Sequence, residues 1–296
     1  MLRSNFGDLL APGFRDIFFL KYGEVPPMFE KMYNMETSSR KYEDDSYVSG
    51  LGNVPEKDEG SPFTYDAAIQ GYDVRYTHKT YSLGYKISRE MHEDDLYGIM
   101  KQMPRALGRS MRITVETDAA NLYNRAFDTT NYADGGDGKA LLTTDHPLVG
   151  GGTQKNELTT AANLNATSLE QAKLDIRATT DDRGQLLHLR PKLLVVPPAL
   201  EDTAKILLGS AYDPDSANNA INPYHNKFEL VVWDYLTASS AWFVLSDEHA
   251  VKWYWRVKPE HESDNDFQTD DALFKVRARW SRKWSSPWGV FGSPGV

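Results

Sequence analysis

Between Asp94 and Ala126 the apolar residues Leu96, Met100, Met103, Leu107, Met111, Val115, Leu122 and Ala126 recur mostly at steps of three or four. That spacing puts them on one face of a 3.6-residue turn and predicts a helix of up to ~33 residues, ~50 Å long at 1.5 Å per residue. The average globular helix is about a third of that length. Pro104 falls inside the run and has no N–H, so a kink or a break is expected there. Just upstream, "HEDD" at residues 92–95 offers Asp94 or Asp95 as the cap, and its acids suit the positive end of a helix dipole. The polar face carries Lys101, Arg105, Arg109 and Arg112. It is either a solvated face or one turned towards phosphates or an acidic neighbouring chain.

The segments before this helix follow other patterns. Residues 1–40 alternate short apolar pieces (Ile17, Phe18, Phe19, Leu20; Met28, Phe29) with breakers such as Pro26–Pro27, and read as an extended arm. Residues 41–66, "KYEDDSYVSGLGNVPEKDEGSPFTYD", are rich in Gly, Pro and acids and lack a helical period. So long an irregular stretch is uncommon inside a compact domain; a loop that projects from the body, or packs on another chain, is expected. From residue 72 the pattern turns strand-like. Tyr81, Leu83, Tyr85 and Ile87 alternate with Ser82, Gly84, Lys86 and Ser88, and the helix is expected to lay Leu107 and Met111 on that face.

Residues 128–167 are loop-rich, and a second αβ region follows. "SLEQAKLDIRATT" opens with Ser168 as cap and Gln171 three residues on, the spacing of a capping box. "PKLLVVPPAL" reads as a short strand, and "PALEDTAKILLG" as a helix with Pro198 near its start and Gly209 past its end. "FELVVWDYL", "AWFVL" and "VKWYWRV" read as strands. In the last, Val251, Trp253, Trp255 and Val257 share one face, and Lys252, Tyr254 and Arg256 the other. "KPEHESDNDFQTDD" is expected to be an acidic loop. The closing strand "ALFKVRARW" puts Phe274, Val276, Ala278 and Trp280 inside and Lys275, Arg277 and Arg279 outside.

The sequence carries little that resembles catalytic or cofactor chemistry. Without cysteine it can form neither disulfides nor thiolate metal sites. A P-loop fails at "GDGKA", where Ala133 stands in the first glycine position and Ala140 replaces the hydroxyl. "HEDD" has no second histidine at helical spacing, so no zinc-binding pair forms there. Asp145 and His146 sit side by side after a glycine-rich run, but neighbours on an extended chain point to opposite sides and cannot orient one another as a catalytic pair must. A hydrolytic enzyme using Asp145, His146 and His92 stays as the alternative, beside another kind of structural component. The net charge of −9 argues against a dedicated nucleic-acid binder. No stretch reaches the ~18 apolar residues of a membrane span. The N-terminal apolar pieces are interrupted by Gly7, Asp8, Pro12, Gly13, Arg15 and Asp16, so no signal peptide is expected, and the protein is expected to stay in the cytoplasm where it is made.

Arm, projecting loop, strands, long helix, glycine-rich loop, αβ region and returning strand fit a chain that buries its loose parts against identical copies. The run "GLGNVPEKDEGSPFTYDAAIQGYDVRYTHKTYSLGYKISREMHEDDLYG", then a long helix, then "DGKALLTTDHP", resembles the major capsid (head) proteins of tailed bacteriophages, with Mu-like head subunits among the relatives. "PKLLVVPPALEDTAKILLGS" and "DDALFKVRARWSRKWSSPWGVFG" resemble that family's middle and closing segments.

The resemblance implies an α+β fold of the Hong Kong 97 type. Residues 1–47 become an N-terminal arm and 48–80 an extended loop. Residues 81–164 and 261–296 become a peripheral domain with a spine helix at 94–127, and 165–260 an axial domain. It implies a structural protein rather than an enzyme, with no cofactor, whose hexamers and pentamers close the icosahedral head of the virion around phage DNA. Its partners are then itself, the portal, and packaged DNA through weak non-specific contact. The recognisable arm begins almost at Met1 with no long charged leader, so scaffolding is expected from a separate protein. Candidate contacts between subunits pair the acids Glu43, Asp44, Asp45, Glu56, Asp58 and Glu59 with Arg105, Arg109 and Arg112, or with Lys275, Arg277 and Arg279.

Overall fold

The first helix follows from the spacing of Phe14, Ile17 and Phe18, which brings three apolar side chains to one side of a helical turn. The structure, a computed structural model, describes residues 6–94, 98–130, 134–212, 221–266, 268–269 and 271–296. It begins with α1, Phe6–Gly23, and so corrects the expected extended arm; Pro12 and Gly13 are accommodated inside the helix. A 3-10 turn at Phe29–Lys31 leads to strand β1, Asn34–Thr37.

The expected irregular loop holds for residues 50–66, which carry no strand or helix, but its first part, 42–49, is one arm of a hairpin. β2, Tyr42–Ser49, pairs antiparallel with β3, Ile69–Thr77, from Tyr42 opposite Thr77 to Ser49 opposite Ile69. Most of β2 is exposed, so no apolar alternation marks it in the sequence. β4, Lys79–Ile87, carries the alternation that does show. Its Tyr81, Tyr85 and Ile87 turn to the core, whereas Leu83 on the same face stays 52% exposed because β4 is a sheet edge.

The helical run is divided. α2, Arg89–Glu93, starts at Ser88, whose Oγ accepts the Met91 N–H at 3.3 Å, and Asp94 closes this short helix instead of capping the long one. Gly98 adopts φ +67°, a 3-10 turn spans Ile99–Lys101, and α3 runs Gln102–Asn124. Asp95 and Leu96 lie outside the described residues. Pro104 is the third residue of α3, in the first turn, where an N–H has no intrahelical partner to lose. The helix therefore continues through it unbroken.

Two short strands follow, β5 at His146–Pro147 and β6 at Thr153–Gln154. α4, Ala166–Arg177, is capped by Asn165: its Oδ1 accepts the Ser168 N–H at 2.8 Å, and Ser168 Oγ accepts the Asn165 N–H at 3.0 Å. The capping box thus lies three residues earlier than the Ser168–Gln171 pair expected from sequence. β7, Pro191–Val196, leads through a 3-10 turn into α5, Glu201–Gly209, and then to β8, Glu229–Val232, parallel to β7. β9, Trp242–Ser246, β10, Val251–Asn265, β11, Ala272–Trp284, and β12, Val290–Ser293, complete the chain. The expected acidic loop after Lys258 is mostly strand, because β10 stays paired with β11 out to Asn265 opposite Ala272. Register shifts on either side of Val257 take it out of the buried series of Val251, Trp253 and Trp255.

One sheet has the order β1-β10-β11-β4 and a second β12-β9-β7-β8. Leu193 and Val195 of β7 join the same core as α3, the first sheet and Phe243; Leu194 and Val196 face the opposite way into a second core with α4, α5 and Trp242. Burial on both faces explains why "LLVV" and "WFVL" read as unbroken apolar runs. α3 therefore packs against both sheets, and Leu107 and Met111 meet Tyr81 and Tyr85 in that shared core. The division at residues 260 and 261 needs correction: all of β10 pairs within the first sheet, while β12, near the C-terminus, pairs with β9 in the second.

Candidate functional site

The turn that raised the question of catalysis is built from its own side chains. Asp145 Oδ2 accepts Lys139 Nζ at 2.5 Å and Oδ1 accepts Thr143 Oγ1 at 2.6 Å. These two hydrogen bonds hold its carboxyl below the usual range. His146 points the other way and is fully buried. Its Nδ1 lies 2.6 Å from Asp137 Oδ2, and its Nε2 lies 3.1 Å from Asn156 Oδ1 and 3.3 Å from the Leu141 carbonyl. Asn156 is itself fixed: its Nδ2 donates to the carbonyls of Leu141 and Pro287 at 2.7 and 3.0 Å, and its Oδ1 accepts the Thr143 N–H at 2.9 Å. Both imidazole nitrogens are thus held by the fold, and neither is directed at a nucleophile. Gly138 reverses the chain between Asp137 and Lys139 at φ +72°, which a side chain at that position would oppose. The sequence points to Asp145 as the histidine's neighbour, but its actual partner, Asp137, lies nine residues before it across a turn. The backbone of His92 lies in α2, far along the chain from this turn.

The projecting hairpin is anchored at its base. Tyr76 packs edge-on against Tyr254 with ring centroids 4.9 Å apart, and Lys252 Nζ donates to Asp45 Oδ2 at 2.6 Å. Further out, Arg183 Nη1 donates to Asp66 Oδ2 at 2.6 Å, and Tyr47 packs edge-on against Trp288. Beyond these anchors Val54, Phe63 and Tyr65 are 94%, 75% and 93% exposed.

The charged residues singled out from sequence separate into two groups. Glu43 accepts Ser38 Oγ at 2.6 Å, Asp44 holds Arg75 through two hydrogen bonds at 2.7 and 2.9 Å, and Asp45 holds Lys252. Arg112 is buried: its Nε donates to the Tyr22 carbonyl at 3.0 Å and its guanidinium stacks 4.0 Å over the Tyr22 ring. It binds α1 to α3, and so it leaves the basic face expected of it. Glu56, Asp58 and Glu59 in the hairpin tip, and Arg105 and Arg109 on α3, are exposed and form no ion pair among the described residues. Lys275 reaches Glu262 at 2.8 Å, while Arg277 and Arg279 point away from the core.

Sequence reasoning missed two acids that bond inward from α3, the buried Glu116 and the half-buried Asp118. Glu116 Oε1 accepts the Met28 N–H at 2.9 Å and Oε2 accepts the Trp233 indole N–H at 3.0 Å; burial raises its pKa above the ordinary 4.5. Asp118 Oδ2 accepts the Trp280 indole N–H at 2.7 Å. The available signal was their position: both acids lie on α3 within its apolar run, at a distance from the exposed Arg105 and Arg109. Among the described residues no group of three or more His, Cys, Asp or Glu could hold a metal, and no helix is long and apolar enough to cross a membrane.

A protein family described as phage capsid protein matches residues 71–292. A comparison with curated proteins returns no match. Among solved structures, one from Microbacterium phage Oxtober96 superposes with a TM-score of 0.54 at 10% identity, covering 90% of each chain. The capsid of bacteriophage JBD30 gives a TM-score of 0.53 at 18% identity over 69% of this chain and 89% of that one. The capsid of the cyanophage P-SCSP1u gives 0.56 at 12% identity over 89% and 86%. Identities this low speak for the fold, and the mixed helix-and-strand architecture is the Hong Kong 97 type that the sequence resemblance implied. The match from residue 71 to residue 292 carries the assignment further: the chain belongs to the phage capsid protein family.

Proposed function

We propose that this capsid protein closes a head shell by contact with copies of itself, as hexamers and pentamers, and that the hairpin tip is the part that reaches a neighbour. The observation that carries the reading is the tip itself. Val54, Phe63 and Tyr65 are more than 70% exposed there, beside three acids that form no ion pair among the described residues. A single subunit leaves that apolar surface in water, and a second copy covers it. Arg105 and Arg109 on the neighbour offer complementary charge. The first sheet with α1 and α3 serves as the peripheral body, and the second sheet with α4 and α5 as the axial one. In this reading the protein is made in the host cytoplasm and resides in the virion. Scaffolding comes from a separate protein, and contacts with the portal and with packaged DNA are secondary, the latter weak and blind to sequence. The saturated bonding of Asp145 and His146 supports a structural role for that turn. Size-exclusion chromatography with negative-stain microscopy of the pure full-length protein tests the proposal. Capsomers or closed shells are expected; a stable monomer under all assembly conditions overturns it.

A further inference from the structure

The axial body holds a basic cavity that the assembly reading does not use. Lys173 and Arg177 lie one turn apart on α4, Arg190 precedes β7, and Lys227 lies in the turn before β8. Together they line an open cavity of about 370 Å³ whose floor includes the buried rings of Tyr224 and Phe228. Every charged side chain lining it is basic. None of the four forms an ion pair among the described residues.

Three of the acids nearby are engaged elsewhere. Glu229, beside Phe228, holds Lys31 at 2.6 Å. Asp175 holds Lys155 at 3.0 Å. Asp247 accepts the main-chain N–H of Arg190 at 3.1 Å, leaving that guanidinium free. Glu170, whose charge acts on Tyr224, lines the adjoining cavity. Lys173 Nζ sits 5.3 Å from the centre of the Tyr224 ring, which places the ammonium at the cavity's edge. Four cations that form no ion pair among the described residues repel one another, and Glu170 in the adjoining cavity offsets only part of that. A bound anion removes that repulsion.

We propose that this cavity is a phosphate-binding site that takes a ligand of nucleotide size, its phosphates among Lys173, Arg177, Arg190 and Lys227 and its flat apolar part on Tyr224 and Phe228. Phosphate fits better than carboxylate. It concentrates two or more negative charges on one small group, and the two guanidinium forks match its oxygens in pairs. The volume lies at the lower end of the range of small-molecule pockets. A free nucleotide and a nucleotide of a single strand share this chemistry.

Fluorescence polarisation of labelled ATP on the pure full-length protein tests the site, with inorganic triphosphate, a short single-stranded oligonucleotide and polyglutamate as competitors. Saturable binding is expected, competed by triphosphate and weakened about tenfold or more in Arg177→Gln/Arg190→Gln. Lys227→Gln, in an exposed turn, serves as the second variant should the pair fail to fold, and the same direction of change is expected. Arg277→Gln, on the outward face of β11, is expected to bind as wild type. Competition by the oligonucleotide at equal nucleotide concentration assigns the strand as source; competition by triphosphate alone assigns the free nucleotide. The proposal fails if no phosphate probe saturates, if the control variant loses as much binding as the site variants, or if polyglutamate competes as well as triphosphate.

Discussion

The Glu116 carboxylate bridges the Met28 main-chain N–H and the Trp233 indole N–H, at 2.9 and 3.0 Å. One side chain on α3 thereby joins the turn after α1 to the segment that leaves β8. Glu116→Ala strands both donors in the core and is expected to cost ~2–4 kcal/mol, measured by denaturant unfolding of the unassembled protein. Burial raises this carboxyl's pKa in the folded state. Its contribution to stability is therefore complete below the unfolded value of 4.5 and declines as pH rises through the folded value. Glu116→Gln lacks that titration, so the stability of wild type relative to Glu116→Gln is expected to fall with rising pH from 4.5 upward. A wild-type stability that rises with pH relative to Glu116→Gln contradicts the assignment.

Leu107 lies in the core shared by α3 and the first sheet. Leu107→Asp puts an unpaired charge there and is expected to cost several kcal/mol, about 3–5, and to abolish soluble expression at 37 °C. Beside it, a Cβ on Gly108 would meet the Phe18 carbonyl oxygen at 2.6 Å, so Gly108→Ala should force α1 and α3 apart. A lowered Tm with normal far-UV circular dichroism is the readout.

Arg109 and Arg112 lie three residues apart and should behave differently. Arg112→Ala removes the hydrogen bond and the stacking on Tyr22, and should lower subunit stability by ~1–3 kcal/mol. Arg109→Glu should leave the subunit folded and block shell assembly even without DNA. A compensating Glu59→Lys should restore assembly in part. Empty shells of normal yield from Arg109→Glu, with packaging alone reduced, would instead assign this face to DNA.

Deletion of residues 53–62 removes the exposed Val54 and the acids Glu56, Asp58 and Glu59, and leaves the β2–β3 ladder in place. Soluble, folded protein that forms no shells is expected. Normal particles under negative stain would show that the tip makes no essential contact.

At the 138–147 turn the two adjacent residues should separate cleanly. Asp145→Asn, at an exposed carboxylate, should change stability by less than about 1 kcal/mol. His146→Ala leaves Oδ2 of the Asp137 side chain, which is buried, without its partner and takes one of the contacts from Asn156, and should cost ~2–4 kcal/mol. Equal effects in thermal melts would argue against the asymmetry.

Much of the framework could be read from periodicity. The apolar steps from Met100 to Ala126 locate α3, and the unbroken runs at 193–196 and 241–245 locate strands buried on both faces. What escaped detection had no single-segment signal. α1 is disguised by Pro12 and Gly13, which interrupt the helical pattern just ahead of its apolar spacing at Phe14, Ile17 and Phe18, and β2 is exposed along most of its length and shows no one-sided pattern. Strand β10 reads as a loop beyond Lys258 because its acids face solvent and its register shifts there. The charged residues were the hardest to place. Arg112 and Glu116 look like a solvated helix face in sequence, and only the arrival of Tyr22, Met28 and Trp233 from other segments turns them inward. The basic cavity likewise assembles from three stretches, none of which is distinctive alone.

Because α3 is wedged between both sheets in one continuous core, the two bodies have no slack between them. The subunit behaves as a stiff tile. It should melt in a single cooperative step, with Trp233 and Trp280 fluorescence reporting the same midpoint from opposite sheets. In the assembly proposed above, a shell of such tiles finds its compliance in the seams, where hairpins would meet neighbours. Pressure from within is then carried as tension across joints rather than as strain within the parts.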